Sequence, residues 1–316
     1  FVRASWMHDF AVLGQDHLSE IAREKAGSAF RLLDAFVYAD FELRGHDASV
    51  RLGPQVVNWG ESTFIQGGIN AINPIDLAKL RVAGAELKEA LLPVNMVSTS
   101  LQLNDRLSLD ALYMLEFEQV EVDPVGTYFS ISDFGGPGGR YVMLGFGIAA
   151  QPVLNPDRFY SVCDGGAVSD NPAVAASPAL RAAACGNALR RIEDRFASDS
   201  GQFGIALRYF VPELANTEFG LYYLNYHSRL PLISGTAVTS GAANSARVYF
   251  EYPEDIHLFG GSFNTSIESL GLAVQGELSH RSNQPLQLDD VEVLFLALSP
   301  LNRLIPQPVN RFISQL

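Results

Sequence analysis

Apolar and polar residues alternate one for one over long stretches of this chain. From Arg106 to Glu118, Leu107, Leu109, Ala111, Tyr113, Leu115 and Phe117 fall on one face, and Arg106, Ser108, Asp110, Glu116 and Glu118 fall on the other. Gly201–Val211 repeats the pattern, with Phe203, Ile205, Leu207, Tyr209 and Val211 opposite Gln202, Gly204, Ala206 and Arg208. Leu270–Arg281 and Leu33–Leu43 alternate in the same way. A period of two is the signature of a strand with one apolar face. The stretches run about ten to thirteen residues, longer than most soluble strands and about the length a tilted strand needs to cross a bilayer.

The connections are unequal. Short turns are predicted near Gly45–Asp47, Asn104–Asp105, Glu213–Asn216 and Glu268–Ser269, and long segments span Leu13–Phe30, Gly60–Pro93, Val120–Ser200 and Leu230–Ser245. Long and short connections take turns along the chain, as in barrels with tight turns at one rim and extended loops at the other. The predicted fold class is therefore all-β: a transmembrane antiparallel up-and-down β-barrel, partial, with short helices in its long loops. One domain is expected over residues 1–316, with 59–93 a helical loop folded into the lumen and 120–200 a long outer loop. Asn73-Pro74-Ile75-Asp76 carries helix-start signals that predict a short helix through Arg81 and a second from Ala85 to Leu92, ended by Pro93. Pro178–Phe196 is predicted to be helical as well. Trp6, Trp59, Tyr222, Tyr223, Tyr226, Tyr249, Phe250 and Tyr252 lie near strand ends, where amphipathic rings suit a lipid–water boundary and equally suit ordinary cross-strand packing.

Composition narrows the class. A hydrophobic content of 47% over 316 residues supports a folded core. The net charge of −13 excludes a nucleic-acid partner, which needs a basic surface. No run of eighteen apolar residues occurs, so a membrane-spanning helix is not predicted, and a chain that crosses lipid without helices must do so as a closed barrel. The chain opens at Phe1 inside what already reads as a strand, so it is expected to be a piece of a longer protein, incomplete at both ends. Cys163 and Cys185 share one long segment; a bridge between them would close a loop of about twenty residues and contribute about 3 kcal/mol, the alternative being two free thiols.

Catalytic patterns are missing. Trp59-Gly60-Glu61-Ser62-Thr63-Phe64 is not a nucleophile elbow, because no glycine follows the serine at the required spacing. Gly135-Gly136-Pro137-Gly138-Gly139 lacks the Gly-Lys-Ser/Thr ending of a phosphate loop. The histidines (His8, His17, His46, His227, His257, His280) have no metal-ligand spacing and read as rim or surface residues, and Tyr252-Pro253-Glu254-Asp255 reads as a turn. Neither catalytic residues, nor a metal site, nor a cofactor is predicted. What remains is the polar face of the strands and the segment expected to lie against it. The lumen or gate candidates are Arg51, Trp59, Glu61, Arg81, Glu86, Glu89, Asp110, Glu116, Arg208 and Glu277, with Glu118, Arg247, Glu251 and Gln275 on the same polar faces. Arg81, Glu86 and Glu89 are expected to tie the inward-folded segment to the charged wall, with Ile65, Ile69, Ile72, Leu77 and Leu80 along an apolar path, the alternative being that these side chains merely anchor the segment.

Several longer strings carry a resemblance. They are Arg51–Gln66, Gly68–Pro74, Gly84–Pro93, Asp123–Ser130 with Asp133-Phe134, Phe250–Ile256, and Gln275-Gly276-Glu277 through Asn283–Gln287. Together they resemble the family of domain of unknown function 1302, found mainly in proteobacteria. The resemblance implies a Gram-negative outer-membrane barrel that passes hydrophobic small molecules or lipids and is surrounded by outer-membrane lipids. It also implies partners: a periplasmic lipoprotein-sorting-like protein and an RND-type transporter. A general water-filled porin and a non-transport docking barrel are the alternatives. The family supplies no agreed catalytic residues, and an enzyme is not expected.

Overall fold

In the computed structural model, residues 1–16, 18–62, 67–81, 87–132, 134–143, 177–186, 188–301 and 312–313 are described. The alternating stretches form strands, and the chain is predominantly β with large antiparallel sheets. β1 (Val2–His8) pairs antiparallel with β2 (Ser28–Ala35), the two being joined through helices α1 (Phe10–Leu13) and α2 (Glu20–Ala26). Six further strands follow: β3 (Val37–Leu43), β4 (His46–Gln55), β5 (Val94–Asn104), β6 (Leu107–Met114), β7 (Tyr141–Met143) and β8 (Ala188–Arg191). After them come β9 (Phe203–Val211), β10 (Thr217–Tyr226), β11 (Leu232–Thr236), β12 (Arg247–Glu251), β13 (Ile256–Ile267), β14 (Leu272–Ser282) and β15 (Phe312–Ile313).

Eight strands make one sheet in the order β14-β13-β10-β9-β6-β5-β4-β3, every neighbouring pair antiparallel. Chain order is preserved across it, so each strand meets the next sheet strand in sequence. The four short connections all lie at one end. Arg44 and Gly45 both take positive φ between Leu43 and His46, the two-residue hairpin turn that matches strand twist. Asp105-Arg106 joins β5 to β6, residues 212–216 join β9 to β10, and the turn Glu268–Leu270 with Gly271 at φ +61° joins β13 to β14. The opposite end carries the connections 56–93, 115–202 and 227–255. The predicted alternation of long and short connections is thus a real asymmetry of the sheet. Among the described residues the sheet is open, with β3 and β14 at its edges.

Register assigns each residue to a face. One face is predominantly apolar: Phe41, Val50, Val97, Leu109, Leu207, Leu221, Phe259 and Leu278 stand on it, strand by strand. Much of it is bare, since Ile205, Leu221, Phe259 and Leu278 are all exposed. Its aromatic residues gather in two rows. Tyr113, Phe203, Tyr223 and Phe259 lie toward the long connections, with Tyr223 and Phe259 centroids 5.0 Å apart, and Tyr209, Phe219 and Phe263 lie toward the short turns. The other face carries Arg51, Ser98, Asp110, Arg208, Ser262, Glu277 and Arg281.

The core lies on that polar face, which is unexpected for a two-faced sheet. Trp59, Ile69 and Ile72, from the connection after β4, are buried against Met96, Leu112, Ala206, Tyr222, Leu224 and Leu258. Glycines make the room. A Cβ at Gly204 would come 2.7 Å from the Trp59 ring, and one at Gly260 would come 2.6 Å from Ile69.

Several local expectations are corrected. The stretch Leu33–Leu43 divides at Phe36, whose N–H donates to the Phe1 carbonyl. Of the two helices expected between Pro74 and Leu92, the described residues show only a 3₁₀ turn at Lys79–Arg81 and the short α3 (Leu87–Ala90). The reason is that the backbone there has other commitments: Asp76 N–H donates to the Ala90 carbonyl, Leu77 N–H to Glu121, and Leu92 N–H to Pro74. The helix expected over Pro178–Phe196 stops early. α4 (Pro178–Gly186) is followed by β8, which pairs with β7 and, in parallel, with β12. β7, β8, β11 and β12, from the long connections, form a second sheet with β15, which follows β14, and α5 (Asp290–Leu298) packs Leu294 and Leu298 on its core of Leu189, Val238, Ala246 and Val248. The expected outer loop 120–200 therefore contributes structure of its own, though residues 144–176 lie outside the described set. Cys185 on α4 is disulfide-bonded, and Cys163 lies outside the described residues. No helix among the described residues is long and apolar enough to cross a membrane.

Gly204→Ala tests the groove. Forcing a methyl group against Trp59 is expected to destabilise the fold by about 1–3 kcal/mol, read as a lower urea midpoint of detergent-refolded protein. An unchanged midpoint would mean that the indole is not seated there.

Candidate functional site

The candidate site is the polar face of the sheet together with the segment that crosses it. β14 supplies the anchors because its period-two pattern sends Gln275, Glu277, Ser279 and Arg281 to that face. The Glu277 carboxylate accepts three backbone N–H groups of the segment: Glu61 at 2.6 Å, Ser62 at 3.0 Å and Ile69 at 2.9 Å. Gly60, at φ +83°, lets the chain turn around it; a Cβ there would come 2.5 Å from the carboxylate. Four residues on, Arg281 donates to the carbonyls of Gly67 and Gly68, and Ser279 donates to Gly67. Opposite charges on one strand thus take the donors and the acceptors of one loop. Glu61 reaches back to β13, accepting from Ser262 Oγ at 3.4 Å and Asn264 Nδ2 at 3.2 Å.

The other end of the segment is fixed by Asn73, which is buried. Its Oδ1 accepts from Val57 N–H at 2.9 Å, and its Nδ2 donates to the carbonyls of Gln55 and Leu92 at 3.0 and 2.8 Å. Arg229, just past β10, adds a buried cation that donates to the Ile72 carbonyl at 2.9 Å and the Glu118 carbonyl at 3.1 Å. Burial pulls its pKa down from 12.5 to about 10, so it stays charged at neutral pH. Nearby, Glu118 is held above the usual carboxylate range, first by burial and then by Glu116 and Glu121.

The segment covers only part of the wall. Beside it, between Trp59 and strands β4–β6 and β9, a cavity of about 300 Å³ remains, lined by Ser49, Arg51, Ser98, Ser100, Asp110 and Arg208 with Val57 and Leu112 at its apolar side. Asp110 and Arg208 form an ion pair at 2.9 Å across the β6–β9 ladder.

The residues named from sequence thus divide. Arg51, Trp59, Asp110 and Arg208 meet at the cavity, and Glu61 and Glu277 meet at the anchor. Glu116 instead accepts from Asn95 N–H at 2.7 Å, closing the end of β5. Arg81 does not bind the wall: it pairs with Asp123 of the next long connection and stands 4.9 Å over the Phe129 ring. Glu89 is exposed, and Glu86 and Ile65 lie outside the described residues. The segment is held mainly through its backbone groups, by Glu277 and Arg281 of the wall and by Arg229 of a neighbouring connection, with Glu61 adding a side-chain contact to β13. Glu251, taken for a wall residue, is fully buried in the second sheet, where Ser234 Oγ donates to it and Arg195 lies 3.5 Å away. His227 is buried rather than at a rim, accepting from Asp255 N–H and contacting Ser200 O. Of the aromatic residues placed at a boundary, Trp59, Tyr222, Tyr226, Tyr249, Phe250 and Tyr252 are buried, and Trp6 is exposed. Among the described residues no group of three metal-ligating side chains comes together.

Two outcomes follow. Glu277→Ala should leave the sheet intact and speed hydrogen exchange at Glu61, Ser62 and Ile69 by at least about tenfold, since hydrogen bonds to a charged group contribute about 1.5–3 kcal/mol each before screening; unchanged exchange would remove Glu277 as the anchor. For Glu118 the raised pKa means that folding favours its protonated form, so its contribution is present below pH 4.5 and is lost as pH rises through the folded value. Glu118→Gln should therefore raise the melting temperature at pH 8 and leave it unchanged at pH 4.

The family whose description is Protein of unknown function (DUF1302) matches residues 1–314, and the chain belongs to it. Comparison with curated proteins and with solved structures yields no match.

Proposed function

We propose that this family member is an outer-membrane β-barrel of Gram-negative bacteria that passes hydrophobic or amphipathic small molecules, lipids included, with residues 59–62 and 67–76 as a constriction on its inner wall. The observation that carries the reading is the two-faced sheet: a bare apolar face with two aromatic rows backs onto a polar face that holds a folded segment. A soluble sheet buries its apolar face. Here the apolar face is the exposed one, as lipid favours. Nine residues of β9 rise about 30 Å along the strand at ~3.3 Å each, or about 23 Å along the membrane normal at a tilt of ~40°, close to the apolar band of such barrels. The proposal requires the edges β3 and β14 to be paired in the membrane, because lipid does not tolerate unpaired ladder groups.

Outer-membrane lipids are then the neighbours of the apolar face, and the long connections form the outer rim. A periplasmic lipoprotein-sorting-like protein and an RND-type transporter remain proposed partners, on the resemblance alone. One observation favours a second reading, a water-filled porin: the wall from β4 to β6 is polar and uncovered.

Planar-bilayer conductance of the complete protein decides between them. Small or absent steps that grow in Glu277→Ala are expected for a constricted barrel. Large steps in both proteins would favour the porin. Silence from both, with insertion verified, would sink the transport reading.

A further inference from the structure

We propose that the cavity beside Trp59 is a binding site for the carboxylate head of a small amphipathic monoanion, with Arg51 as its recognition residue. This deepens the reading above and rests on the polar face being a lumen wall. Charge is the first argument. Asp110 and Arg208 neutralise each other at 2.9 Å, whereas Arg51 forms no ion pair and no hydrogen bond with a described residue. Its guanidinium stands 5.5 Å over the Phe36 ring, a contact that holds the side chain without consuming its donors. The cavity therefore carries one net positive charge in a chain whose net charge is −13.

Hydrogen-bond supply is the second argument. Ser49 and Ser100 face each other across the β4–β5 ladder beside Arg51, and neither hydroxyl has a described side-chain partner, whereas Ser98 already donates to Gln55. A guanidinium fork and two open hydroxyls suit the oxygens of a carboxylate. Shape is the third. The opposite side of the cavity is apolar, formed by Val57, Trp59 and Leu112, so a short hydrocarbon tail has a surface to lie on. On the short-turn side of Arg51, an adjoining cavity presents Asp40, which stands on the rung of Ser49 and Ser100, and then Asp47. Those acids oppose an anion moving further in that direction, so Arg51 marks the level at which the head is held.

The test uses the complete protein carrying Trp6→Phe, refolded in detergent, which leaves Trp59 as its only indole within this chain. Hexanoate is titrated against Trp59 emission, with hexanol and hexylammonium as neutral and cationic counterparts. A saturable response to hexanoate alone is expected, weakened about tenfold or more in Arg51→Gln, the scale of one charge-assisted hydrogen bond, and partly restored in Arg51→Lys. Equal responses to all three compounds, or hexanoate binding indifferent to Arg51→Gln, would overturn the assignment. Reconstitution of the same samples into liposomes separates the two readings: inserted protein that ignores hexanoate fails this inference alone, and protein that does not insert fails the barrel reading with it.

Discussion

An antiparallel ladder sends successive side chains to opposite faces, and the phase of that alternation is the constraint on which this structure depends. Apart from a bulge between Gln102 and Asn104 beside the β5–β6 turn, each of the eight strands keeps the phase set by its partner, from Val37↔Leu52 at one edge to Leu258↔Arg281 at the other. A slip of one residue in β9 would put Leu207 on the face of Glu277 and Arg208 among the bare leucines. Short turns protect the register where they can. Arg44-Gly45 and Asp105-Arg106 are too tight to absorb a slip, and the connections that could absorb one are pinned by Asn73, Glu277 and Arg229.

Once the phase is fixed, the polar face must be both wall and floor. The inner positions of β9 and β13 are small where the segment lies: Gly204, Ala206 and Gly260 leave a groove in which Trp59 and Ile69 are nearly fully buried. On β4, β5 and β6 the same face carries Arg51, Ser98 and Asp110, and the segment does not cover them. Side-chain size along one face therefore decides which part of the wall is filled and which part stays open.

The strands and the unequal connections were legible because period-two patterning and turn residues are local signals. Arg106–Glu118 and Gly201–Val211 each contain a strand on the expected face. The anchor was legible only in part. Glu277 was visible as a charge on the polar face, but its partners are backbone N–H groups, which leave no mark in a sequence; the search for a partner therefore went to charged residues of the segment, and Arg81 turned out to serve Asp123. The helix signals at Asn73-Pro74 are local preferences, and the helix they predict through Arg81 is overridden because the backbone of Ile75, Asp76 and Leu77 bonds to distant strand-like neighbours. Burial of His227, Arg229 and Tyr249 belongs to the same class, since it follows from packing between connections far apart in the chain.

The placement of anchors has a mechanical consequence for the segment. Asn73 and Arg229 hold one end through buried hydrogen bonds, where competing water is excluded. Glu277 and Arg281 hold the other end at a partly exposed surface, where water and salt weaken the same kind of bond. Local opening concentrates where hydrogen bonds are exposed and apolar contacts are few. The end around Glu61–Ser62 and Gly67–Gly68 is therefore the one that lifts first, pivoting on Ile69, Ile72 and Asn73. Such a movement would break no rung of the ladder, because every bond it loses lies outside the sheet.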